Sequence, residues 1–144
     1  MPVGKLDGSG RKILVIDDDL AIRVLLQAVL RRMKFDVHLA EDGAAGLEKV
    51  NRDGQFDLIL LDLMMPKLNG YEFIDRIATQ YHDGQRPHII VFTAAGKRGV
   101  DKIPEDAVCA SILKPFDLDR FIEIIADCLT GAHAEHPVST RSGE

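Results

Sequence analysis

Short apolar runs alternate along this chain with amphipathic stretches, and that alternation limits the fold more than any other feature. Lys12–Ile16 (KILVI) reads as a buried strand. Leu20–Met33 follows, with Ile22, Leu25, Leu26, Val29 and Met33 at helical spacing. Asp19 stands where a helix cap belongs. Phe35–Ala40 is a second, weaker strand and Gly43–Arg52 a short helix. Asp57–Leu61 is a third strand, uniformly apolar after its first residue. Gly70–Tyr81 is a helix with Tyr71, Ile74, Ile77 and Ala78 inward. His88–Phe92 and Cys109–Leu113 complete the strands. Leu118–Leu129 is the last helix, with Leu118, Phe121, Ile122, Ile125 and Leu129 on one face and Gly131 just past its end. Strand alternating with helix predicts a parallel sheet covered on both faces. Five strands in so short a chain point to an α/β, doubly wound arrangement.

The 144 residues favour one domain. A chain of this size buries roughly 68–70% of the surface its unfolded form exposes, so it holds a core without covalent staples. Basic residues number 18 against 23 acidic, a net charge of −5. That balance excludes nucleic-acid binding through bulk charge and gives no reason to sit on an anionic membrane. No apolar run reaches the length of a membrane span, and Met1–Gly10 has no secretory apolar core. Two cysteines, Cys109 and Cys128, are too few for a disulfide framework and are expected to pack as small hydrophobes in a reducing compartment. Cytoplasmic placement follows from the same reading. Residues 1–10 are expected to be a flexible arm, 11–130 the folded domain, and 131–144 a disordered tail, too poor in large apolar side chains to offset its ordering entropy.

In a doubly wound sheet, ligands sit beyond the carboxyl ends of the strands. The first strand runs into Asp17, Asp18 and Asp19, the third into Asp62, the fourth into Thr93, and the fifth into Lys114-Pro115. Any one of these alone is an ordinary turn former or cap. Together they bring carboxylates, a hydroxyl and an ammonium to one edge from distant parts of the chain. Carboxylates at close range repel unless one protonates or a cation joins them. A hard divalent ion meets that need, and magnesium favours one or two carboxylates with water and phosphate oxygens. Lys114 and Thr93 add groups suited to a phosphoryl oxygen.

Four ordered stretches resemble the receiver domain of two-component response regulators: Ile13–Asp19 (ILVIDDD), Leu60–Pro66 (LLDLMMP) with Asn69-Gly70 behind it, Val91–Ala94 (VFTA), and Ile112–Phe116 (ILKPF). They span almost all of the folded region. The resemblance implies a flavodoxin-like receiver fold with strand order 2-1-3-4-5. It implies Asp62 as phosphoacceptor, attacking a phosphohistidine of a histidine kinase or histidine phosphotransfer protein. Magnesium (or manganese) would be held by Asp18, Asp62 and the Met64 carbonyl, with Asp17 acting through water. Thr93 would hydrogen-bond the aspartyl phosphate, and Lys114, preceding a cis Pro115, would pair with carboxylate or phosphate. The product would be a signalling module, acting alone through altered binding of a downstream protein, without turnover of a separate substrate.

Two stretches depart from the family. Ser111 stands three positions before the lysine, where an aromatic residue is usual, and serine cannot fill the space such a ring occupies. Gly96–Asp106 contains Gly96, Gly99 and Pro104, so the fourth helix is expected to be short or irregular. The first helix carries Ala21, Val24 and Ala28 beside its core stripe, a face suited to docking the kinase or phosphotransfer helices. Rival readings are a haloacid-dehalogenase-like phosphatase using Asp17 and Asp19 with Thr93 and Lys114, a flavodoxin-like cofactor carrier, and a receiver-fold scaffold that is never phosphorylated. The first leaves Asp62 unexplained. The second would set three aspartates against a cofactor phosphate.

Overall fold

The computed structural model describes residues 6–65, 67–81, 86–94, 96–104 and 106–131. Its elements run β1 (Lys12–Ile16), α1 (Leu20–Arg32), β2 (Asp36–Ala40), α2 (Gly43–Asp53), β3 (Leu58–Leu61), α3 (Gly70–Gln80), β4 (His88–Thr93), α4 (Gly96–Asp101), β5 (Ala110–Leu113) and α5 (Leu118–Thr130). The strands form one sheet in the order β2-β1-β3-β4-β5, with every neighbouring pair parallel. This is the doubly wound α/β fold and the strand order expected.

The strands are apolar throughout because both faces are covered. On one face Ile13, Val15, Leu58, Leu60, Ile90 and Phe92 pack with Leu26 and Leu30 of α1 and with Phe121, Ile122 and Ile125 of α5. On the other, Leu14, Ile16, Ile59, Leu61 and Val91 pack with Val50 of α2 and Phe73, Ile74 and Ile77 of α3. Most helices begin on a side-chain acceptor. Asp19 accepts from the Ala21 N–H at 2.9 Å, Asp42 from Ala45 at 2.8 Å and Asp117 from Asp119 at 3.2 Å. Asn69 and Glu72 form a reciprocal capping box at α3. Gly131 ends α5 at φ 86°, a left-handed conformation that glycine adopts without steric cost.

Some expectations need correction. Leu25 is not a core residue: it is 45% exposed, while Leu26 and Leu30 carry the buried stripe of α1. On α3, Ile74 and Ile77 are buried as expected, Phe73 joins them, and Ala78 is exposed. Within the expected arm, residues 6–10 make contacts with the folded domain. Leu6 packs against the core, and Gly8 is buried, donating its N–H to the Met33 carbonyl at 2.6 Å. A Cβ on Gly8 would lie 2.4 Å from the Phe35 ring, which explains glycine there. Cys109 and Cys128 do lie in the apolar layer, but as a disulfide with Cα atoms 6.2 Å apart. Their distance in sequence hid a proximity that only the packing of α5 on the sheet creates. The remainder of the arm (1–5) and the tail (132–144) lie outside the described residues. As expected, α4 is short, six residues, followed by turns at Lys102, Ile103 and Ala107.

Phe121 is fully buried, stacked on Phe116 at 4.9 Å between ring centroids and edge-on to Phe92 at 6.1 Å. Phe121→Ala should therefore lower the unfolding free energy by about 3–5 kcal/mol, as large-to-small changes in a close-packed core do. Urea denaturation followed by circular dichroism checks it, and a loss below about 1 kcal/mol would show that α5 is not anchored there.

Candidate functional site

The register of the sheet builds this site. Ile16 of β1 lies opposite Leu61 of β3, so the next residues, Asp17 and Asp62, emerge side by side. The hydrogen-bond ladder continues one step past each strand. Asp62 donates its N–H to Ile16 at 3.0 Å, Asp17 to Ala40 at 3.2 Å, and Lys114 to Thr93 at 2.8 Å. The backbone of the site is thus held by the sheet, not by loops, as a precise constellation requires.

Asp17, Asp18 and Asp62 each present a carboxylate oxygen, and these oxygens all lie within 4.8 Å of one another. Asp17 is fully buried and Asp62 is 5% exposed, while Asp18 is exposed. Lys114 reaches into the cluster. Its ammonium donates to Asp17 Oδ2 at 2.9 Å and lies 3.6 Å from Asp62 Oδ2. The other Asp17 oxygen accepts the Asp19 N–H at 2.8 Å, and the Asp17 carbonyl accepts from Arg23. Asp62 Oδ1 accepts the Met64 N–H at 3.2 Å. Thr93 is fully buried at the end of β4, one residue pairing away from Lys114. The Lys114–Pro115 bond is cis. Met64 is 59% exposed and Met65 buried.

Burial raises the pKa of Asp62. The Met64 N–H and the Lys114 charge pull it back, and the charges of Asp17 and Asp18 push it further up. Burial alone would lower the Lys114 ammonium, but the hydrogen bond and charge of Asp17, then those of Asp62, outweigh it and hold the group above its ordinary value. One ammonium against three carboxylates leaves the cluster net negative. A divalent cation of the magnesium type, with hard oxygen ligands, fits this donor set.

Of the site residues expected from the sequence, Asp17, Asp18, Asp62 and Lys114 come together and Thr93 ends the neighbouring strand, while the Asp19 side chain caps α1. Asp19 lies outside the carboxylate group formed by Asp17, Asp18 and Asp62. Sequence reasoning missed two supporting residues. Asp42, buried at the start of α2, caps that helix and lies 3.6 Å from the Lys67 ammonium in the β3–α3 loop. Gly43 sits so close to the same loop that a Cβ would fall 1.9 Å from the Leu68 carbonyl oxygen. The Asp42-Gly43 pair before an amphipathic run was the available signal. Which loop it meets was not.

The response regulator receiver domain family matches residues 13–126. The chain belongs to this family. It is 30% identical over 117 residues to sporulation initiation phosphotransferase F of Bacillus subtilis, covering 79% of this chain and 90% of that protein. It is 34% identical over 116 residues to the response regulator ArlR of Staphylococcus saprophyticus, covering 77% of this chain but only 49% of that protein. The chain thus spans about half the length, or less, of the first regulators it matches. Among solved structures, the response regulator TrrA of Thermotoga maritima in complex with Mg(2+)-BeF superposes with a TM-score of 0.73 at 30% identity, covering 83% of this chain and 99% of that one. The Francisella response regulator receiver domain shares the fold, with a TM-score of 0.75 at 23% identity. Receiver domains are signalling modules of two-component systems, and the acidic pocket here is consistent with magnesium binding.

The crowding of charge has a measurable cost. Asp62→Asn should raise the Tm of the metal-free protein by about 2–5 °C, the effect of a gain on the order of 1 kcal/mol in a chain this size. The pH dependence follows from the raised pKa. Native Asp62 holds its proton to higher pH than the unfolded chain, so wild-type stability falls as pH rises through that raised value. The advantage of the asparagine variant should be full at pH 7 and shrink as pH falls toward the ordinary carboxylate value of 3.8. Thermal melts in EDTA across this range decide it; an unchanged or lower Tm at pH 7 would show that Lys114 already neutralises the cluster.

Proposed function

We propose that this chain accepts a phosphoryl group on Asp62 from a phosphohistidine of a histidine kinase or histidine phosphotransfer protein, in a magnesium-dependent reaction, and signals through altered binding of a downstream protein. The observation that carries this reading is the Lys114 ammonium, placed between Asp17 and Asp62 beside a third carboxylate. Asp18, Asp62 and the Met64 carbonyl would hold the magnesium ion (manganese being an alternative), with Asp17 behind them through water. Such a role for Asp17 agrees with its burial and with the engagement of both its oxygens by protein donors. Bound magnesium supplies positive charge and oxygen coordination for the incoming phosphoryl group.

The protein's part in transfer is alignment and charge. An Asp62 oxygen attacks phosphorus, a P–O bond forms as the P–N bond to the partner's histidine breaks, and the electron pair goes to the imidazole nitrogen. Lys114 stands beside Asp62 Oδ2, ready to pair with a phosphoryl oxygen. Thr93, at the neighbouring strand end, offers its hydroxyl to another. Ser111 is 1% exposed on β5 and brings no ring to follow Thr93, so the structural response should be smaller than in receivers with an aromatic residue there.

The docking surface for the phosphodonor is the outer face of α1. Leu20, Val24 and Leu25 are 65%, 55% and 45% exposed, beside Ala21 and Ala28, and Met64 adds an exposed apolar side chain after Asp62. Leu20 and Met64 each stand two residues beyond an acidic residue of the pocket, so the apolar face begins at its rim. A cytoplasmic location accords with such a partner. No helix among the described residues is long and apolar enough to cross a membrane.

Acetyl phosphate with magnesium should add one phosphate to the wild-type chain, read by intact mass, and none to Asp62→Asn. Persistent labelling of the variant would relocate the acceptor. Asp18→Ala should weaken magnesium binding by at least about tenfold, since the loss of even an outer-shell partner costs that much. Lys114→Ala should slow phosphorylation with little change in circular dichroism.

A paired substitution tests the docking face. Val24→Glu with Ala28→Glu should slow transfer from the cognate phosphodonor by about tenfold or more, the result of losing roughly 1.4 kcal/mol of contact. Labelling by acetyl phosphate should be unaffected. Equal transfer rates from the phosphodonor would assign docking to another surface.

A further inference from the structure

Cys109 immediately precedes β5 and Cys128 lies in the last turn of α5. They are the chain's only cysteines, and they are bonded to each other. Cys128 is 1% exposed, whereas Cys109 is half-buried. The ring that the bond closes runs from 109 to 128 and contains β5, Lys114, Phe116 and most of α5. We propose that Cys109–Cys128 is a reversible redox-modification site, whose oxidised form fastens the end of α5 to the sheet and whose reduced form releases it.

The packing makes the reduced form viable. Phe121, Ile122, Ile124 and Ile125 bury α5 on the sheet independently of the cysteines, and Arg11 donates to the Leu129 carbonyl at 3.2 Å. Both sulfurs lie in the same apolar layer, where thiols pack as small hydrophobes. A core of this size has no need of a permanent staple. Where thiols are kept reduced, disulfides are usually transient or redox-sensing; this step alone rests on the signalling function proposed above.

The difference in burial orders the chemistry. An external dithiol, as thiolate, attacks Cys109 Sγ, the sulfur of the less buried residue. The Cys109–Cys128 bond breaks, and its electron pair leaves on Cys128 Sγ, which takes a proton. The second thiolate of the dithiol then attacks its own sulfur in the mixed disulfide. Cys109 is released and protonated, and the reductant departs as a disulfide, its two electrons left on the thiols of Cys109 and Cys128. Oxidation by a small disulfide such as oxidised glutathione runs the same exchange backward.

The test uses the full chain without phosphorylation, so its outcome is separate from that of the Asp62 experiments. Protein is equilibrated in glutathione buffers from fully reduced to fully oxidised, quenched in acid, alkylated and weighed. Two labels should disappear together as the buffer becomes oxidising, with the circular dichroism spectrum native at both ends. Amides of 118–130 should exchange hydrogen at least about tenfold faster in the reduced form, because opening of α5 loses a covalent restraint. Cys109→Ser and Cys128→Ala should each exchange like the reduced protein in any buffer. The proposal is overturned by labels at both cysteines under oxidising conditions, by a bond that yields only in urea, by unfolding on reduction, or by equal exchange of α5 in the two forms.

Discussion

The constraint on which the rest depends is the meeting of like charges at the end of β1 and β3. Parallel pairing of Ile16 with Leu61 leaves Asp17 and Asp62 no alternative to proximity. Moving one of them away would require a slip in register, and a slip would turn every side chain of a strand covered on both faces. The sheet's hydrophobic energy therefore holds the carboxylates together against their repulsion. Lys114 relieves part of it, delivered from the far side of β4 by a strand whose own ladder continues into the lysine backbone. What remains is an acidic pocket whose most buried acids are the least able to move. Such a pocket favours a hard cation and a ligand rich in oxygen.

Most of this was legible in the sequence because it is carried by local patterns. Runs such as KILVI and LLDL announce buried parallel strands by lacking alternation, and a polar residue directly after such a run has to emerge at the carboxyl edge. Once the strands were placed, Asp17, Asp62, Thr93 and Lys114 followed without knowledge of any distance. Asp19 was read as a cap for the same kind of local reason, and it is one. The strand order was not readable this way; it came from family resemblance, since nothing in the periodicity of β2 or β5 says which neighbour it takes.

What escaped the sequence was tertiary. Leu25 fits the helical period as well as Leu26 does, and only the placement of α1 over the sheet decides which is buried. Gly8 has an unremarkable setting in a glycine-rich segment until Phe35 is seen against it. Asp42 and Lys67 belong to different loops, joined because the start of α2 meets the β3–α3 connection. Cys109 and Cys128 were each read correctly as apolar-layer residues. The error lay in treating them separately, when α5 returns antiparallel to β5 and brings its last turn over the start of that strand.

The two departures from family pattern bear on the same part of the molecule. Ser111 removes the ring that would occupy space beside β5, and α4, the neighbouring helix, is only six residues long. A signal that began at Thr93 and Lys114, as proposed, would thus have less bulk to displace on the α4 side. Lys114 has another mechanical neighbour: its ammonium lies 5.1 Å from the centre of the Phe92 ring, which meets Phe116 and Phe121 edge-on. Drawing the lysine toward a phosphoryl group would alter its contact with that aromatic cluster, and the cluster seats the first half of α5. Under the proposed function, a movement of Lys114 would therefore reach α5 through this cluster. A covalent tie at the other end of α5 stiffens that helix, because a helix pinned at both ends has nowhere to shift.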